Sequence, residues 1–170
     1  MPKTKKRTIV LIIAGVFLFV LCAWRFWPHP FSKVVSGDLN SLTEIQMNAV
    51  IYTTENGSLK TDIYKAGISS GDENWDEILK VLTSADYRQD FRNPILPLLN
   101  GLSVYGGTKA VFVQLRWGEK ENQTCIVEFL SNKLISVIRE DGTAMRLYHP
   151  SNHNMLNELA EYIQKNKETK

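Results

Sequence analysis

Two cysteines are all that the 170-residue chain contains. Cys22 lies inside a long apolar run and Cys125 inside a strand-like segment, which argues against an intramolecular disulfide, and no Cys-x-x-Cys pair is present to hold zinc or run a redox cycle. Histidine is as scarce, with three residues. His149 and His153 have the i, i+4 spacing of helical metal ligands, but Pro150 and Ser151 between them predict a strand end followed by a helix start, and no third ligand is near. Also missing are a Gly-x-Ser-x-Gly elbow, a His-Glu-x-x-His pair, a P-loop and a dinucleotide fingerprint. These gaps predict no metal and no cofactor, and they assign no catalytic residue. There is no internal repeat and no low-complexity tract.

Positive charge is lacking where a nucleic-acid binder would need it. The formal charge of the whole chain is +2, but Lys3, Lys5, Lys6, Arg7 and Arg25 supply five of its twenty basic residues. From Pro28 onward 15 basic residues face 18 acidic ones, a net of −3. A mildly acidic domain offers no footprint for phosphate backbones, so no nucleic-acid partner is expected.

What the chain does have is a run from Ile9 to Trp24 in which every residue is apolar or glycine. At about 1.5 Å per residue, Thr8 to Trp27 would reach roughly 30 Å, the thickness of a hydrocarbon core. Arg25 can snorkel on its long stem, and Trp24, Phe26 and Trp27 read as an interfacial aromatic belt. Leu21 spoils the two rival readings. It stands at the third-last position of a signal-peptidase site ending at Ala23, where a small residue is needed, and it stands where a lipobox needs one just ahead of Cys22. The predicted organisation is therefore a basic tail over 1–7 on the cytoplasmic side, a transmembrane anchor over 8–27 in contact with membrane lipid, a spacer over 28–37, and an extracytoplasmic domain over 38–170. The orientation follows from the basic flank before the run.

Periodicity organises the outer domain. Glu44 to Thr54 alternates as a strand, Asn56-Gly57 predicts a tight turn, and Leu59 to Ala66 gives a return strand. Trp75, Ile78, Leu79 and Leu82 fall at i, i+3, i+4 and i+7, predicting a helix over 72–82 capped by Ser70 or Asp72. The acidic residues in its first turn suit the helix dipole and need no metal. The stretch 86–107 holds two prolines and three glycines and predicts an irregular loop. A meander follows over 110–117, 123–130, 133–139 and 144–149, then a helix over 151–165. Cys125 shares a face with Val127 and Phe129, as a small core residue would. Asn56-Gly57-Ser58 and Asn122-Gln123-Thr124 are glycosylation sequons in predicted turns, of consequence only in a glycosylating pathway. The fold class is α+β, an antiparallel sheet with two helices packed on it.

Recognition residues are sought where arginine and aromatics cluster, since these dominate binding hot spots. Tyr87, Arg88, Phe91 and Arg92 beside the proline-bounded loop form the first cluster, and Arg116 with Trp117 the second. The competing structural role is plain: the aromatics plug the core and the arginines pair with nearby acids such as Asp86 and Asp90.

In layout, with the basic start PKTKKR, the apolar run and a domain of this size, the chain resembles small extracytoplasmic proteins of unknown function from Gram-positive bacteria that carry one N-terminal anchor and one α+β domain. The resemblance implies an envelope location and transfers no functional residue. The expected function is a non-catalytic binding or interaction domain, with an envelope protein or peptide as partner. One alternative is an envelope hydrolase using scattered groups such as Glu128, Asp141 and His149. Another is a membrane regulatory or immunity-type protein acting through its helix, for which Ala14-Gly15 is the sole small-residue pair.

Overall fold

A computed structural model describes residues 3–55, 57–93, 108–118, 124–139 and 145–167, with side chains from Ile9 onward except at Arg25. Its architecture is α+β: among the described residues, four α-helices and a seven-stranded antiparallel sheet. The apolar run forms α1 (Lys3–Arg25), 23 residues long. A turn follows, in which the Trp27 N–H donates to the Trp24 carbonyl, and Pro28, which has no N–H to donate, comes next. Every side chain from Ile9 to Trp24 is exposed. Among the described residues, no helix is long and apolar enough to cross a membrane, so the expected anchor is not part of what the fold establishes.

The segment 28–37, expected to be an irregular spacer, is part of the domain. Phe31, Val34 and Val35 stand at i, i+3 and i+4, and they form the buried side of a short helix, α2 (Phe31–Val35). Pro30 stands at its N-cap with extended backbone, and Ser36 ends it with φ +56°, a left-handed conformation. A 3₁₀ turn over Leu39–Ser41 then leads into the sheet.

The hairpin is as predicted but longer. β1 (Leu42–Glu55) and β2 (Ser58–Ser69) pair from Glu44↔Ser69 to Glu55↔Ser58, a register that leaves two residues for the turn. Gly57 takes φ +80° there, as a primed turn requires; Asn56 lies outside the described residues. α3 (Trp75–Thr83) begins three residues later than predicted. Asp72 does not cap it; its carboxylate accepts the Ser69 N–H at 2.6 Å, closing the turn out of β2.

β3 (Tyr87–Gln89) is a three-residue strand inside what reads as an irregular loop, and residues 94–107 of that loop lie outside the described set. The meander β4 (Lys109–Trp117), β5 (Thr124–Ser131), β6 (Leu134–Arg139) and β7 (Arg146–Pro150) matches its prediction within two residues at each end. α4 (Met155–Lys165) starts four residues after Ser151 because the polar run before it is used otherwise. The Ser151 hydroxyl accepts the Asp86 N–H, and the Asn152 side chain accepts the Asn154 N–H.

The sheet order is β2-β1-β4-β5-β6-β7-β3. β1 thus joins the meander at one side and β3 closes it at the other. Alternation along each strand sends Ile45, Met47 and Ala49, then Val111, Val113 and Leu115, then Cys125, Val127 and Phe129 to one face. There they meet Ile78 and Leu82 of α3 and Met155, Leu159 and Ile163 of α4. Cys125 is buried in this core, as its pattern predicts.

Candidate functional site

A cleft of about 570 Å³ opens between α2 and the β6-β7-β3 side of the sheet. Its volume lies within the usual range for ligand sites. One wall is α2 and its exit, from Ser32 and Lys33 to Ser36 and Gly37. The floor is the buried ring of Tyr148 beside Gln89, residues that face each other across the β3–β7 ladder. Arg139 enters from the end of β6 and Arg146 from the start of β7, while His29 lies at the entrance of the chain into the domain.

Backbone pairing holds this cleft together. His29 and Tyr87 exchange N–H···O bonds of 2.9 Å in both directions, an isolated bridge that adds the lead-in segment to the edge of β3. The Phe31 and Tyr87 rings lie 5.6 Å apart at an interplanar angle of 42° behind it. At the other end of α2, Arg139 Nη2 donates to the Val34 carbonyl at 2.6 Å. Helix and sheet are thus tied on both sides of the opening.

Chemically the lining is one-sided. Lys33, Arg139 and Arg146 are basic, Ser32, Ser36 and Gln89 are neutral hydrogen-bonding groups, and among the described residues no carboxylate lines the cleft; Glu140 and Asp141, between the two arginines in the chain, lie outside that set. Elsewhere in the domain three cations have acidic partners within ion-pair distance, Arg92 with Asp90, Arg116 with Glu44, and Lys60 with Glu55 and Asp62, while others such as Lys65, Lys80 and Arg88 have none among the described residues. Among the described residues, Lys33, Arg139 and Arg146 have none. Such a set attracts and orients an anionic group.

The residues expected from sequence to recognise a partner are not gathered at one place. Tyr87 is fully buried, and its hydroxyl donates to the Leu82 carbonyl at 2.6 Å. Burial pushes that phenol well above its ordinary range. Trp117 is buried at the end of β4, its Nε1–H donating to the Asp38 carbonyl at 2.9 Å. Both aromatics are therefore core residues. Arg116 pairs with Glu44 at 3.0 Å on the other face of the sheet. Arg88 is exposed on β3, and Phe91 is 71% exposed, with the Arg92 guanidinium 6.0 Å from its ring centre.

Arg92 instead belongs to a polar knot built on one buried carboxylate. Asp90 is 2% exposed and takes two side-chain bonds from Arg92, at 2.9 and 2.7 Å, and a third from the Arg92 backbone N–H at 2.7 Å. These hold its carboxyl down at about 2, against the burial that would raise it. His149 Nε2 lies 2.9 Å from Asp90 and its Nδ1 2.8 Å from the Lys133 carbonyl. Both neighbours are acceptors, so both contacts are hydrogen bonds only when the ring carries two protons. Burial pushes the Glu128 carboxyl upward in the middle of β5, while Asp141 lies outside the described residues. Among the described residues, no three His, Cys, Asp or Glu side chains gather to hold a metal.

His29, Lys33, Arg139 and Arg146 escape sequence reading because they come from four separate elements. The available signal was faint: Lys33 interrupts an i, i+3, i+4 apolar turn, and Arg139 and Arg146 flank the predicted turn at Asp141-Gly142. No protein-family model matches this chain, and neither the curated proteins nor the solved structures contain a match to it.

Proposed function

We propose that this chain is a membrane-anchored extracytoplasmic protein whose α+β domain binds a ligand at the bacterial cell envelope without catalysing a reaction. The observation that carries the reading is the position of the cationic cleft: its wall and entrance are built by the residues that immediately follow α1. A helix that is apolar all round is stable only inside a large core or a bilayer, and α1 has no side chain covered by the domain between Ile9 and Trp24. Those sixteen residues reach about 24 Å, short of a hydrocarbon core of roughly 30 Å. In this reading Thr8 on one side and the Arg25–Trp27 flank on the other complete the span. Trp24 and Trp27, 75% and 65% exposed, would sit at the lipid headgroups, and Lys3, Lys5, Lys6 and Arg7 would keep the N-terminus in the cytoplasm.

A reporter that works only in the cytoplasm, fused after Lys170, is expected to be silent, and the chain is expected to stay with membranes through an alkaline wash. An active reporter or release by the wash would refute the reading. Crosslinking in whole cells should then recover an envelope component bound to the domain.

A further inference from the structure

We infer that the cleft between α2 and β7 is a binding site for a phosphoryl anion, and that its source is the headgroup of an anionic phospholipid. The inference rests on the tethered reading above and specifies the ligand of its site. Lys33 on α2, Arg139 on β6 and Arg146 on β7 converge on one opening although they are more than a hundred residues apart in the chain at the extremes. The outer domain is acidic overall, with a net charge of −3 from Pro28 onward. Among the described residues that line the cleft there are three basic side chains and no carboxylate. Three like charges held together repel one another, and an arriving anion removes that cost. Arginine and lysine together suit a phosphodiester: the planar fork of arginine bonds two oxygens at once and the lysine ammonium supplies a mobile point charge.

Size and position separate the two sources of phosphate. The cleft's 570 Å³ is several times what a bare phosphate ion fills, and Ser32, Ser36 and Gln89 add neutral hydrogen-bonding groups of the kind a glycerol headgroup uses. Three residues separate Arg25 at the end of α1 from His29 at the cleft, four steps along the chain with a reach of at most about 14 Å. The headgroup layer of a bilayer lies within that distance of a helix that ends at its surface. Membrane-surface anions therefore meet this cleft at high local concentration.

The test uses the full chain in maltoside micelles and calorimetric titration at fixed ionic strength with three probes: dihexanoyl phosphatidylglycerol, dihexanoyl phosphatidylcholine and inorganic phosphate. The expected result is binding of phosphatidylglycerol at least tenfold tighter than either other probe, with at least a tenfold loss in the double variant K33A/R146A. Both of those side chains are exposed, so the variant keeps the fold, checked by an unchanged circular dichroism spectrum and melting temperature. Equal affinity for inorganic phosphate and phosphatidylglycerol would overturn the headgroup as the source. Absence of binding by both anions, or binding unchanged in K33A/R146A, would overturn the site itself. Retention of the chain in alkaline-washed membranes is read in parallel. If it persists while anion binding fails, only the cleft's ligand is refuted; if it is lost, the tethered reading falls as well.

Discussion

The Arg92 guanidinium lies flat against the Asp90 carboxylate, Nε on Oδ1 at 2.9 Å and Nη2 on Oδ2 at 2.7 Å, with the carboxylate almost wholly removed from water. Two residues of separation bring the pair together through the turn that follows β3. The same turn is pinned to the sheet because the Asn93 side chain both donates to the Leu147 carbonyl and accepts the Leu147 N–H. The pair is thus a structural clasp at the β7 side of the sheet.

Acid should release that clasp. The Asp90 carboxyl is lowered from 3.8 to about 2, so its contribution to stability is complete above the unfolded-state value and disappears as pH falls through the folded-state one. A shift of this size corresponds to about 2 kcal/mol. Urea midpoints of the chain in micelles are expected to fall between pH 5 and pH 2. In Asp90→Asn that part of the pH dependence should vanish, and the variant should already be weaker by roughly 2 kcal/mol at pH 7, since Arg92 and His149 lose their shared anion. Equal acid sensitivity in both proteins would refute the assignment.

Tyr87 tests whether an aromatic near the loop serves recognition or the core. Its hydroxyl reaches the Leu82 carbonyl where α3 ends, and Met155 Sδ lies 3.6 Å away. Tyr87→Phe leaves that carbonyl without this donor and is expected to cost about 1–2 kcal/mol, with Tyr87→Ala costing about 3–5 kcal/mol through the cavity it opens. Thermal denaturation reads both. A ligand-binding defect in Tyr87→Phe with unchanged melting would contradict a core role.

Gly37 is where α2 turns back over Trp117. A Cβ there would overlap the six-membered ring of the Trp117 indole, which is itself fixed by its bond to the Asp38 carbonyl. Gly37→Ala is expected to destabilise by about 1–3 kcal/mol, the usual cost of overpacking. The double variant Gly37→Ala, Trp117→Leu should recover part of the clash term, so the two changes should be non-additive in a denaturation cycle.

Arg116 provides the contrasting case. Its bond to Glu44 joins two partly exposed side chains across the β1–β4 ladder. Surface ion pairs of this kind contribute little, so Arg116→Ala should change stability by less than about 1 kcal/mol, and by still less at high salt. A larger loss in chemical denaturation would mean that the outer face of the sheet is more important to the fold than this pair suggests.

Much of the fold is legible in the chain because it depends on local rules. Alternation in 44–54 and 110–117 identifies β1 and β4, the i, i+3, i+4 spacing of Trp75, Ile78 and Leu79 identifies α3, and Asn-Gly marks the hairpin turn. The same rules place Cys125 in the core. They falter where an element is too short to show a period. α2 is a single buried turn inside a proline-bounded stretch, and β3 is three residues long, so both read as irregular chain.

The amino-acid sequence by itself determined the α+β class, the hairpin, the meander, two of the helices and the uniformly apolar character of α1, because each follows from side-chain spacing within a few turns or strand repeats. Only the tertiary structure decided that β3 pairs with β7 and that β1 joins β4, since alternation tells a strand which face is buried but not which strand lies beside it. That pairing folds 28–37 into the domain and sets Lys33 beside Arg139 and Arg146. The cleft exists through contacts between distant parts of the chain, and no local pattern encodes which distant charges will meet.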